Sequence, residues 1–219
     1  MNVKELAAAS DHEQTASRGA WILTYPTGVK FYPLDPRQEE IHIEDIAHAL
    51  SLICRYGGHC STFYSVAEHS VRASNAIAGL LTRTGGRLPL DMSLEQLRVL
   101  EFEALMHDAA EAYPPGDLLR PVKKLPEVAA LLAVQDRIDA VLRLKFGLAV
   151  KEPPEVKAID NVLLATESRD LRTPLPSDDV LLRPDAPMRL PARIDPWPPA
   201  EAEQRFLARF GELSERTAT

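Results

Sequence analysis

The sequence predicts a mainly α-helical single domain with a small N-terminal β-hairpin and an irregular, proline-rich C-terminal segment. Three observations carry this expectation. Apolar residues recur at helical spacing through most of residues 43–171, with helix caps between the runs. β-prone residues are confined to two short runs near the N-terminus. Residues 173–199 hold eight of the 18 prolines.

Each element has its own signal. Residues 1–17 read as a polar lead-in. Trp21 to Tyr25 and Val29 to Leu34 are the β-prone runs, and Pro26-Thr27-Gly28 between them has turn chemistry. A helix fits Ile43 to Tyr56, with Ile43, Ile46, Ala47, Leu50, Ile53 and Cys54 on one face and Gly57-Gly58 at its end. Ser65-Val66-Ala67-Glu68 is a capping box that opens the next helix, which carries Ala73, Ala76, Ile77 and Leu80. That box accounts for Glu68. Gly85, Gly86 and Pro89 mark a loop.

Ser93-Leu94-Glu95-Gln96 is a second capping box. Its helix carries Leu97, Leu100, Ala104, His107 and Glu111 on one stripe, and Pro114-Pro115-Gly116 stops it. Pro126 suits a first helical position, and a long helix runs from it to about Phe146, before Gly147. Another helix is expected from about Glu155 to Leu171. The prolines at 174, 176, 184, 187, 191, 196, 198 and 199 make residues 173–199 an extended surface segment. A short helix over about 200–213 closes the chain.

Composition narrows the function classes. The 219 residues are 45% apolar and 26% charged, which suits one globular domain with a sizeable core. A formal charge of −7 argues against a general nucleic-acid surface. A small anionic substrate stays possible, because a metal and a few basic residues reverse the local field. Cys54 and Cys60 form no CxxC and no disulfide framework, so two reduced thiols are expected. The N-terminus lacks a signal-peptide core, and no run reaches the length of a membrane span. A cytoplasmic protein is the expectation.

The chemistry centres on His107-Asp108, near the end of the apolar-striped run EALMHDAAEAY. The dipeptide alone is a weak motif. His69 lies on an inward stripe with Val66, Ala73 and Ile77; a histidine there is more often a hydrogen-bonded core residue than a ligand. Asp160 lies among Val156, Ile159, Leu163 and Leu164, where an unpaired charge is prohibitive. Either an Arg or Lys partner or a metal explains it. Together His69, His107, Asp108 and Asp160 are two imidazoles and two carboxylates. Such a set suits one divalent transition metal (Mn, Co, Fe, Ni or Zn) with positions left for water and substrate.

Arg55, then YSVAEHS, MHDAAEA, GDLLRPVKK and AIDNVLL occur in an order that resembles the HD-domain metal-dependent phosphohydrolases, in particular the bacterial 5′-deoxynucleotidase-like branch. The resemblance covers about residues 43–171 and implies an HD-domain helical bundle. It implies that His69, His107, Asp108 and Asp160 are the metal ligands. It also implies that Arg55 binds the substrate phosphate, a role that its planar fork fits. Asp117 of GDLLRP is carried over as a group for proton transfer or sugar contact. Related deoxynucleotidases have a Trp where this chain has Tyr56, which leaves deoxyribose selectivity open.

Other flanking groups have two readings each. Glu111, one turn beyond His107, either orients water and handles a proton or holds a histidine ligand. Lys123 either meets the phosphate or forms a solvated pair with Lys124. His59 either reaches the phosphate or is exposed. Glu167 is read as a partner of Arg169 or Arg172.

No histidine follows position 107. Two-metal HD enzymes resemble one another in needing further histidines downstream, so a single metal is favoured. Ala112 after Glu111 departs from the acidic pair of alarmone hydrolases. The expected activity is release of phosphate from nucleoside 5′-monophosphates, deoxynucleotides foremost, by a metal-activated water. A deoxynucleoside triphosphate triphosphohydrolase and a non-catalytic metal-stabilised nucleotide-binding protein are the alternatives. A homodimer is the family-based expectation.

Overall fold

Asp45 is where the N-terminal hairpin is fastened to the helical body. The computed structural model places β1 (Ile22–Leu23) antiparallel to β2 (Lys30–Phe31), pairing Ile22 with Phe31 and Leu23 with Lys30. The turn between them closes through Thr24 N–H donating to Val29 O at 2.9 Å. Thr27 donates twice to Asp45, from its backbone N–H at 2.9 Å and its hydroxyl at 2.6 Å. The structure describes residues 18–83, 92–172, 174–179, 181, 183 and 185–214. The polar lead-in over 1–17, the loop at Gly85, Gly86 and Pro89, and Pro184 lie outside the described residues.

Helix α1 (Ile43–Leu52) stops four residues before the expected Tyr56. The chain turns extended at Ile53 and Cys54 because their backbone pairs with the next segment: Arg55 N–H donates to Tyr64 O at 2.9 Å, and Val66 N–H to Ile53 O at 3.1 Å. Tyr56 and Gly57 then take left-handed φ values of 61° and 59°. Glycine adopts that geometry freely; Tyr56 holds it only with side-chain anchoring. Arg55 therefore sits in a tight loop rather than at a helix end.

Helix α2 (Val66–Arg83) is the centre of the fold. Its first turns, Val66 through Val71, are buried all round, and the helix packs on α1, α3 (Leu94–Met106), α5 (Pro154–Leu171) and α6 (Pro199–Ser214). A helix apolar or enclosed on every side belongs to a core. Ser65 Oγ accepts from Glu68 N–H at 3.0 Å, the expected cap. The Glu68 side chain does something else: it accepts from Arg72 Nε at 2.8 Å and from Trp197 N–H at 2.8 Å. Glu68 thus anchors the C-terminal segment, which the capping reading did not foresee.

The second capping box forms in full: Ser93 Oγ accepts from Gln96 N–H, and Gln96 Oε1 from Ser93 N–H. Helix α3 ends at Met106, earlier than expected. Asp108 has φ −101° and ψ 10°, and Ala109–Ala112 follow as a separate 3-10 turn. The break lets neighbouring residues point to one place, and it puts Glu111 on its own turn. Residues Pro126–Val128 form a 3-10 turn leading into α4 (Ala129–Phe146), which ends at left-handed Gly147 as read from the sequence.

After α5 the described part of residues 173–199 holds no α-helix or strand before α6 begins at Pro199. It is pinned by α5: Thr166 Oγ1 accepts from Leu190 N–H at 2.9 Å, and Asp170 from Ile194 N–H at 3.0 Å. Phe206 and Ala202 of α6 enter the main core with Ile46, Leu50, Leu105 and Ile138. A second cluster, Ala73, Ile77, Ala104, Ile159 and Leu163, joins α2, α3 and α5. No described helix is long and apolar enough to cross a membrane.

Candidate metal centre

Three elements converge beside these two clusters. His69 is on the first turn of α2, His107 and Asp108 lie at the break after α3, and Asp160 is in α5. Ligating atoms of His69, His107 and Asp108 all lie within 4.8 Å of one another. Asp108 Oδ2 is 3.2 Å from His107 Nε2 and 3.7 Å from His69 Nε2. Asp160 flanks this tight trio, its Oδ1 being 3.6 Å from His69 Nε2. The imidazoles are buried, and Asp108, with a side chain 19% exposed, is the most open of the four.

The donor set fits a cation. His69 Nδ1 bonds Glu167 Oε1 at 2.6 Å, and His107 Nδ1 bonds Ala104 O at 2.8 Å. A carboxylate and a carbonyl only accept, so each Nδ1 carries the ring proton. In the neutral rings both Nε2 atoms then offer lone pairs, and they face each other at 3.3 Å. Two lone pairs and an Asp108 oxygen gathered this closely, with Asp160 Oδ1 beside them, repel unless something positive lies among them. Burial opposes charge on His107, yet Asp108 outweighs it and pushes the imidazole up to about 9. Likewise burial would raise Asp108, but His107, His69 and Arg55 hold it well below the usual carboxylate range.

Asp160 meets both explanations of its burial. Its Oδ2 accepts from Arg120 Nη2 and Lys157 Nζ, each at 2.7 Å, while Oδ1 stays on the His69 side. The sequence reading missed Arg120 and Lys157 as its supports. Lys157 was available as an i,i+3 partner on the same helix. Arg120 also holds Asn161 Oδ1 at 3.0 Å, a link from the loop to α5 that spacing does not reveal.

Arg55 lies inside the site, with Nη1 donating to Asp108 Oδ2 and Nε to Glu167 Oε2, both at 3.3 Å. Glu167 is the larger correction: it is fully buried and pairs with Arg55 and His69, whereas Arg169 pairs with Asp170. It lies two turns past Asp160 on the same side, a signal the sequence contained. The partners that decide its role are about a hundred positions away in the chain. Tyr56 is drawn in by the same carboxylate, which accepts from its hydroxyl; the Arg172 guanidinium covers its ring at 4.5 Å.

Glu111 is buried beside the trio. Its Oε1 accepts from Lys123 Nζ at 2.9 Å, and its Oε2 is buried without a hydrogen-bond partner. Burial and the charges of Asp108 and Asp117 push its carboxyl up to about 8, against the pull of Lys123. Asp117 is also raised, first by burial and then by Asp108. Glu111, Asp117 and Lys123 thus form one electrostatic group next to Asp108. His59 is exposed on the loop after Gly58, and Lys124 is exposed.

Comparison with known proteins adds two relatives. The chain is 37% identical to the uncharacterized protein YfdR of Escherichia coli (strain K12) over 200 residues, covering 90% of this chain and 97% of that one. It is 32% identical over 192 residues to an uncharacterized protein of Rhodobacter capsulatus, covering 82% of this chain and 89% of the relative. No family model matches the chain.

Proposed function

The chain belongs to the family of Escherichia coli YfdR, and we propose that it is a metal-dependent phosphohydrolase acting on nucleoside 5′-monophosphates, deoxynucleotides foremost. One observation carries the metal: the ligating atoms of His69, His107 and Asp108 lie within 4.8 Å of one another, with Asp160 Oδ1 beside them at 3.6 Å from His69 Nε2. The order of motifs that resembles HD-domain phosphohydrolases supports the reaction class.

His69, His107, Asp108 and Asp160 would hold one divalent transition ion. When bound, it would acidify water and polarise the phosphoryl group. The chain's own residues do the rest. Arg55 uses Nε and Nη1 on Glu167 and Asp108, which fixes its guanidinium in direction, and Nη2 is the donor assigned to an incoming phosphoryl oxygen. Charge growing on those oxygens meets a cation that needs no reorganisation. Glu111 takes or orients a water proton at the unpartnered Oε2, with Lys123 holding the other oxygen. Asp117, whose carboxyl is raised by burial and by Asp108, is the group assigned to return a proton to the departing oxygen.

The test is product analysis. Metal-free protein is supplied with Mn, Co, Ni, Zn or Mg and a panel of nucleoside mono- and triphosphates. The proposal expects inorganic phosphate from monophosphates. Tripolyphosphate from deoxynucleoside triphosphates would reassign the substrate, and nucleotide binding without any release would make the protein a binder.

A further inference from the structure

Glu167 is a fully buried carboxylate on α5 that touches no proposed substrate atom, yet it is bonded to both halves of the site. Oε1 accepts from His69 Nδ1 at 2.6 Å and from the Tyr64 hydroxyl at 3.0 Å. Oε2 accepts from Arg55 Nε at 3.3 Å and from the Tyr56 hydroxyl. Four donors, from α2, the loop after α1 and the segment just before α2, fill its acceptor capacity. Such a carboxylate is costly to bury, and full pairing with charge-assisted donors offsets that cost.

We propose that Glu167 is a positioning residue that sets His69 in its Nδ1–H form for metal binding and fixes the direction of Arg55 through the same carboxylate. This rests on the reading of His69 as a metal ligand. The consequence for His69 is chemical. A carboxylate on Nδ1–H leaves Nε2 as the free lone pair and makes it more basic, and loss of such a partner typically weakens metal binding about 10–100-fold. The consequence for Arg55 is geometric. Held at Nε, the guanidinium plane cannot swing away from Asp108. It also explains the left-handed backbone at Tyr56, whose hydroxyl is tied to the same oxygen as Arg55. Metal grip and anion grip therefore share one support.

The test uses the full chain. Long-range 1H–15N spectra of the metal-free wild type report the His69 ring, and an Nδ1–H tautomer is expected; an Nε2–H tautomer overturns the proposal. Calorimetric titration with Mn or Co then compares wild type, Glu167→Gln and Tyr64→Phe. Glu167→Gln should bind about 10–100-fold more weakly, because a neutral amide polarises His69 less and sets an N–H against Arg55. Tyr64→Phe keeps the carboxylate and should stay within a few-fold of wild type. Equal affinity in Glu167→Gln, or an equal loss in both variants, overturns the role. Wild-type protein that takes up no ion contradicts the metal reading instead, and the metal-free tautomer still decides the positioning role.

Discussion

The Nε2 atoms of His69 and His107 face each other at 3.3 Å while both Nδ1 atoms are engaged elsewhere, one by Glu167 and one by the Ala104 carbonyl. Neither ring can donate to the other in its neutral form. The cluster calls for a positive charge, and a divalent ion or a proton supplies it. That competition makes the candidate metal site a property of side-chain geometry and not of any single residue.

Asp108 is the carboxylate nearest both rings and the one that Arg55 also grips. Asp108→Ala should lose bound metal and turnover together, and Asp108→Asn should keep the shape yet bind metal at least tenfold more weakly, about 1.4 kcal/mol. Elemental analysis after purification without chelator, alongside phosphate release, checks both.

Glu111→Gln should retain metal and lose turnover by about 10²–10⁴-fold, the usual contribution of a general acid or base. The metal-free variant also carries a pH signature. The folded Glu111 carboxyl is raised to about 8, from an ordinary 4.5, by burial and by Asp108 and Asp117. The folded state therefore holds a proton that the unfolded chain releases, so this group lowers stability as pH rises from 4.5 to 8. Thermal melts of metal-free protein should show Glu111→Gln gaining on wild type across that window.

Asp170 gives the opposite sign. Burial would raise it, but Arg169, the Ile194 N–H and Arg193 hold it down to about 2, below its ordinary 3.8. Its contribution is present above pH 3.8 and is lost as pH falls through 2. It pins the proline-rich segment to α5. Denaturant titrations at pH 6 and pH 3 should show Asp170→Asn destabilised at pH 6, with the gap to wild type shrinking at pH 3.

Ser93→Ala removes the cap of α3 at the end remote from His107. A stability loss of about 0.5–2 kcal/mol is expected, with metal affinity unchanged. Chemical denaturation and metal titration on one preparation separate the two effects.

Local signals predicted what local chemistry decides. The capping box at Ser93, left-handed Gly147, the hairpin turn and the span of α5 follow from neighbouring residues. His69, His107, Asp108 and Asp160 were legible because their motifs stand in order along the chain, and the fold brings the first three into contact with Asp160 beside them. What was not legible depends on distant partners. Helix α1 ends early because Ile53 and Arg55 pair with Val66 and Tyr64. Glu167 turns from Arg169 to His69 and Arg55 because packing of α5 on α2 buries it beside them. Glu68 serves the tail because Trp197 returns to α2 from the far end of the chain.

Metal stoichiometry tests the account most directly. Wild type and His107→Ala are stripped of metal, shown to be folded by thermal melts, and titrated with Mn, Co or Zn. The account predicts one tightly held divalent ion per chain in the wild type and none at the same concentrations in His107→Ala. A wild type that holds no ion, or a His107→Ala that holds one as tightly, contradicts it.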